Sequence, residues 1–185
     1  MTKPQRLILL GERRIAQQCV MILGDPMFRD AFDLRVLVTN RSFFDEFVRR
    51  QQIVHPQFIA NDARRAEEIA AAIAAHGIDL LISVQHNWVL PSSILDQVGG
   101  CAFNLHNAKL PDYKGYHSIS HALWHNDIEF ISTLHWMAPK VDSGDIAYEG
   151  VTPIAPDDCA VTLYLRTVAA AAAAATAQAD ATSSL

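Results

Sequence analysis

The chain has 185 residues, 50% of them hydrophobic and 19% charged, with a formal net charge of −5 at pH 7. That length suits one well-buried domain and is short for two. No apolar run reaches the ~20 residues that span a bilayer, and an acidic balance without long like-charge blocks argues against nucleic acid as a bulk electrostatic partner. Cys19, Cys101 and Cys159 are odd in number, far apart and without Cys-x-x-Cys spacing, as expected of reduced core thiols. The run Leu7 to Leu10 is too short for a signal-peptide core, so a cytoplasmic protein is expected.

Arg6 to Leu10 reads as a first strand ending at Gly11, and Arg13 to Leu23 shows helical spacing through Ile15, Cys19, Ile22 and Leu23. The turn between them, Gly11-Glu12-Arg13-Arg14, has one glycine and lacks the Gly-x-Gly-x-x-Gly pattern, which disfavours NAD. Arg13 or Arg14 could meet a phosphate at the helix start. Leu34 to Thr39 suits a strand covered on both faces, Ser42 an N-cap for a helix to Arg50, and Gln57 to Ala60 a short third strand. Asp62 would cap Ala63 to His76, with Gly77 as its stop. Asp79 to Val84, Ser92 to Gln97 and Cys101 to His106 then read as strand, short helix and strand. Such alternation indicates an α/β fold with a doubly wound, mostly parallel sheet in three layers. Further on, His117 to Asn126 reads as a helix, and Glu129 to Met137 and Asp145 to Ile154 as extended segments around an Asp142-Ser-Gly turn. Asp157 or Asp158 would start a last helix running into the alanines 169–175. Residues 1–178 are expected to form one domain and 179–185 a frayed tail.

Asn104 and His106 are strongly polar residues at the end of an apolar strand. Residues i and i+2 of a strand share a face, so the two should project side by side at its carboxyl end, where open α/β sheets bind ligands. Gln85 to Pro91, after the fourth strand, would form a rim of the same cleft. Thr133-Leu134-His135 and Asp142 add a second polar set. A carboxamide, an imidazole and a carboxylate suit acyl transfer to an amine. Donors stabilise the carbonyl oxygen as it gains charge, and a base takes the proton that the amine must lose. A rival pattern is the stripe His117, His121 and His125 at i, i+4 and i+8. It spans about 12 Å along a helix axis, so three imidazoles cannot easily reach one ion, and no metal is expected.

The motifs Asn104-Leu105-His106, Leu110-Pro111, Tyr113-Lys114-Gly115, Thr133-Leu134-His135 and Asp142-Ser143-Gly144 occur in one order. In that order they resemble the formyltransferase family that takes its one-carbon unit from 10-formyltetrahydrofolate. The resemblance implies a Rossmann-like formyltransferase fold and an enzyme with that folate as co-substrate. It implies that Asn104 and His106 stabilise the developing charge while Asp142 manages protons. It places the pterin against His86, Asn87, Trp88, Val89 and Leu90, with Asp142 nearby. It points to Arg13, Lys109, Tyr113, Gly115, His117 and His135 as residues for the acceptor. The acceptor is expected to be a small-molecule amine, with a nucleotide-linked amino sugar suggested by the wording around Asn104 and His135-Trp136. Glycinamide ribonucleotide, methionyl-tRNA and hydrolysis of the folate are the alternatives. A homodimer is compatible with this reading; a membrane partner is not expected.

Overall fold

The computed structural model describes residues 3–26, 28, 30–40, 56–113, 117–168 and 170. Strands β1 (Gln5–Gly11), β2 (Phe32–Thr39), β3 (Gln57–Ala60), β4 (Leu80–Val84), β5 (Ala102–His106), β6 (Glu129–Trp136) and β7 (Ile146–Pro153) form one sheet in the order β3-β2-β1-β4-β5-β6-β7. The pairings from β3 through β5 are parallel, while β6 runs antiparallel to β5 and β7 antiparallel to β6. Helices Arg13–Leu23, Ala66–His76, Ser92–Gln97 and Ser118–Trp124 follow β1, β3, β4 and β5, and residues 160–168 are helical.

The continuous apolar strands explain the layering. Within β1, Leu7 and Leu9 face one core with Ile15, Cys19, Val20 and Leu23 of the first helix. Ile8 and Leu10 face the other with Ile69, Ile73, Ile94 and Leu95. A strand buried on both faces has no polar alternation to display, which is why its sequence reads as a plain apolar run. Gly11 ends β1 where a Cβ would stand 2.8 Å from Ala16 Cβ and 2.9 Å from the Val84 carbonyl oxygen. Glycine thus lets the first helix start hard against β4.

Helix Arg13–Leu23, strand Gln57–Ala60 and helix Ser92–Gln97 have the expected bounds, and Gly77 ends its helix with φ of 57°. Asp62 caps a short 3-10 turn, Ala63–Arg65, rather than the α-helix itself, by accepting from the Arg64 amide. Helix Ser118–Trp124 is shorter than the expected 117–126 because His117 and Asn126 have φ of 63° and 55°. The last helix begins at residue 160, later than expected, with the Cys159 amide donating to Thr162 Oγ1 and the Ala155 amide to Asp158. Of the three thiols, Cys19 is buried, but Cys101 and Cys159 are exposed. Each stands just outside a regular element, so the expectation of three core thiols is corrected. The helix expected at 42–50, Gly115, the alanines 171–175 and the tail 179–185 lie outside the described residues. Among the described residues no helix is long and apolar enough to cross a membrane.

Candidate active site

Strand order reverses beside β1, which lies between β2 and β4, so the loops leaving β1 and β4 border the crevice where this class of sheet binds ligands. A third loop, after β3, ties these two together. Asn61, after β3, donates 2.9 Å to Glu12 Oε1 after β1 and accepts 2.9 Å from the Trp88 indole N–H after β4. Trp88 packs on His86, ring centroids 4.6 Å apart. Burial holds His86 at about 4, below its ordinary 6.5. Both its ring nitrogens, and Gln85 Oε1, are buried without a hydrogen-bond partner among the described residues. Unpaired polar atoms in a buried loop are costly, and a heterocycle edge such as a pterin offers partners, so these residues fit the folate. Asn87 and Val89 are exposed and Leu90 is buried in the core beneath.

Asn104 lies one rung inside β5, where its cross-strand partners are Ser83 on β4 and His135 on β6. All three side chains share a face. Ser83 Oγ donates to Asn104 Oδ1 at 2.9 Å, and Asn104 Nδ2 lies 3.1 Å from His135 Nε2. His135 Nδ1 lies 2.9 Å from the Trp136 carbonyl oxygen, which can only accept, so Nδ1 carries a proton. In the neutral ring Nε2 is then the acceptor for the Asn104 amide. His106 Nε2 lies 2.9 Å from the Tyr113 carbonyl oxygen and must donate to it for the same reason.

Asp142 closes the group. Its Oδ1 is 3.5 Å from His135 Nε2, and its Oδ2 is 3.8 Å from His106 Nδ1. Because β6 runs antiparallel to β5, the chain leaves β6 toward the amino end of β5, with the Met137 amide bonded to the Ala102 carbonyl. Residues 137–145 must therefore fold back over the sheet face to bring Asp142 to His106. Asp142 has φ of 50°, a left-handed conformation that Asp and Asn tolerate better than most residues. Arg13, Gln85 and His117 also have positive φ, and each borders the carboxyl edge of the sheet.

The structure thus brings Asn104, His106 and Asp142 into one group. His135, expected on the acceptor, is 2% exposed and lies against the Asn104 carboxamide. Lys109 pairs with Asp112 at 3.1 Å. The Tyr113 hydroxyl donates to Asp127 at 2.7 Å, which raises its pKa. Both residues line a cleft of about 500 Å³ with His125, Glu129 and Phe130. None of the three candidate catalytic residues lines it. Arg13 is exposed, with its charge near the Tyr164 phenol, and His117 is exposed at the head of its helix. His121 and His125 have ring centroids 6.1 Å apart, and no group of three or more His, Cys, Asp or Glu among the described residues could hold a metal ion.

Sequence reasoning missed Ser83, Asn61 and Glu12. Ser83 is a polar residue in the apolar run Leu80–Val84, and that contrast was its only signal.

A doubly wound sheet with a carboxamide, an imidazole and a carboxylate brought to one face defines a Rossmann-like α/β domain. The chain belongs to the formyl transferase family, whose model matches residues 32–178. It is 31% identical over 104 residues to a methionyl-tRNA formyltransferase of Idiomarina loihiensis, a match covering 56% of this chain and 33% of that one. The matched stretch is thus about a third of that relative's length. In structure it is similar to a formyltetrahydrofolate deformylase from Pseudomonas syringae pv. tomato, with a TM-score of 0.82 at 15% identity, covering 95% of this chain and 60% of that one. It is also similar to a glycinamide ribonucleotide transformylase from Symbiobacterium toebii, with a TM-score of 0.81 at 18% identity, covering 97% and 87% of the two chains.

Proposed function

We propose that this protein transfers a formyl group from 10-formyltetrahydrofolate to a primary amine, and that the acceptor is the amino group of a nucleotide-linked sugar. The observation that carries this reading is the meeting of Asn104, His106 and Asp142, drawn from separate stretches of chain.

When bound, the folate supplies a formyl carbonyl on nitrogen. His86 and Trp88 would hold its ring system, with Gln85 Oε1 and the His86 nitrogens as partners for its polar edge. Asn104 has one Nδ2 proton engaged by His135, so its second can donate to the formyl oxygen as the amine adds and that oxygen gains charge. His106 Nε2–H already donates to a carbonyl, that of Tyr113; exchanging it for the formyl oxygen would give the second donor. Asp142 accepts the proton released by the new C–N bond, directly or through one water. As the bond to the folate nitrogen breaks, that nitrogen takes up a proton, leaving a formamide and tetrahydrofolate.

Two observations support a sugar-linked acceptor. The Glu12 carboxylate, fixed by Asn61, stands after β1 where a small-residue anion cradle would suit a simple phosphate. The formal net charge of −5, spread without long like-charge blocks, disfavours RNA as a bulk electrostatic partner. The likeness to the Idiomarina enzyme favours methionyl-tRNA as the second reading. The test is to incubate the protein with 10-formyltetrahydrofolate and, separately, a nucleoside-diphosphate-linked amino sugar, glycinamide ribonucleotide and methionyl-tRNA, following tetrahydrofolate release by absorbance. Release only with the sugar is expected. Release with another amine overturns the acceptor; release without any amine would make the protein a hydrolase.

A further inference from the structure

A carboxamide catalyses only in one of its two orientations. Its NH2 end stabilises a developing oxyanion, and its oxygen end repels one, yet the two ends have nearly the same shape. Whatever decides between them therefore contributes to the rate. Ser83 is 2% exposed, pairs with Asn104 across the β4–β5 ladder and donates to its Oδ1. On the other side of the same rung, Asn104 Nδ2 lies 3.1 Å from His135 Nε2, whose ring is held by its Nδ1 against the Trp136 carbonyl oxygen. Turning the amide over would leave the buried Ser83 hydroxyl proton without its acceptor, with Oγ accepting from Nδ2 instead. That lost donor contact is an uncompensated polar burial.

We propose that Ser83 is a positioning residue: its hydroxyl locks the Asn104 carboxamide with Nδ2 toward the reacting carbonyl, and it acts on the rate through Asn104 alone. This rests on the formyl-transfer reading above, so the test has one arm that requires turnover and one that does not.

In the kinetic arm, Ser83→Ala and Ser83→Thr are made in the wild-type chain and in Asn104→Ala. They are assayed with 10-formyltetrahydrofolate and the amine formylated by the wild type. Ser83→Ala should lower kcat about tenfold and leave both KM values within about twofold. Ser83→Thr, which keeps the hydroxyl on a β-branched side chain suited to a strand, should recover most of that loss. In Asn104→Ala the same Ser83→Ala change should alter kcat by less than about twofold, because nothing remains to be oriented. Normal turnover in Ser83→Ala, no recovery in Ser83→Thr, or an undiminished loss in Asn104→Ala overturns the proposal. In the second arm, 15N-resolved side-chain amide signals report the Asn104 orientation without substrate. The wild type should show one Nδ2 environment with contacts to the His135 ring, and Ser83→Ala should show two or exchange-broadened signals. A single unaltered orientation in Ser83→Ala overturns the proposal even if no amine is formylated, which separates its failure from that of the formyl-transfer reading.

Discussion

Gly144 packs so tightly on Trp136 that a Cβ added to it would stand 1.8 Å from the Trp136 carbonyl oxygen. That same carbonyl receives His135 Nδ1, and the Trp136 amide donates to Asp145. The contact thus joins the end of β6, the His135 ring and the turn that carries Asp142. Gly144→Ala must push the turn off the strand end, moving Asp142 away from both histidines. Turnover should fall toward ~100-fold, the scale of an ångström-size misplacement, with a stability loss of ~1–3 kcal/mol. Steady-state kinetics and urea unfolding measure the two; full activity would show that the turn's position does not matter.

Asp142→Asn keeps a residue that tolerates φ of 50° while removing the proton acceptor, and His106→Ala removes a donor. Each should lower tetrahydrofolate release by at least ~100-fold with a thermal midpoint close to that of the wild type. Near-normal release from both variants would refute the roles given to them.

His86 couples the fold to acid. Burial lowers it from 6.5 to about 4, so the folded ring stays neutral. The unfolded chain takes up a proton as pH falls through 6.5, and the native state does not until about 4, so stability is lost across that window. His86→Phe, similar in ring size and without the titrating nitrogens, should unfold at higher urea than the wild type, by a clearly larger margin at pH 4.5 than at pH 8. The same margin at both pH values would show that His86 is accessible to protons.

At the amino ends of the central strands β1 and β4, Arg6 and Asp79 form a bidentate pair with both contacts at 2.8 Å. The Arg6 hydrogen bonds hold Asp79 at about 2, below its ordinary 3.8. Stabilisation from a depressed carboxylate is complete above the unfolded value and is lost as pH falls toward the folded one. Asp79 is 41% exposed, so solvent screening limits the effect, and Asp79→Asn should cost no more than ~1 kcal/mol at pH 7. The gap to the wild type should close between pH 4 and 2, read by thermal melts across that range. A constant gap would place the effect in packing instead.

The parallel body of the fold was legible because its strands are buried on both faces and its helices are amphipathic, so periodicity alone bounded Arg13–Leu23 and Ser92–Gln97. The grouping of Asn104, His106 and Asp142 was legible as a motif order. What joins them was not. Ser83 and His135 reach Asn104 through strand pairing between β4, β5 and β6, and Asn61 reaches Trp88 across a separation of 27 residues. Such contacts depend on sheet register and leave no local pattern. Exposure of Cys101 and Cys159 was misjudged for a related reason: an apolar side chain at an element's end is covered only if some other segment arrives there.

The β6–β7 hairpin lies at one edge of the sheet and carries the carboxylate, whereas amide and imidazole sit on β5 nearer the interior. Edge hairpins open by fraying at lower free energy than a central sheet unfolds. Warming should therefore lower turnover before the sheet melts, and amide hydrogens of β7 should exchange with deuterium well ahead of those of β1.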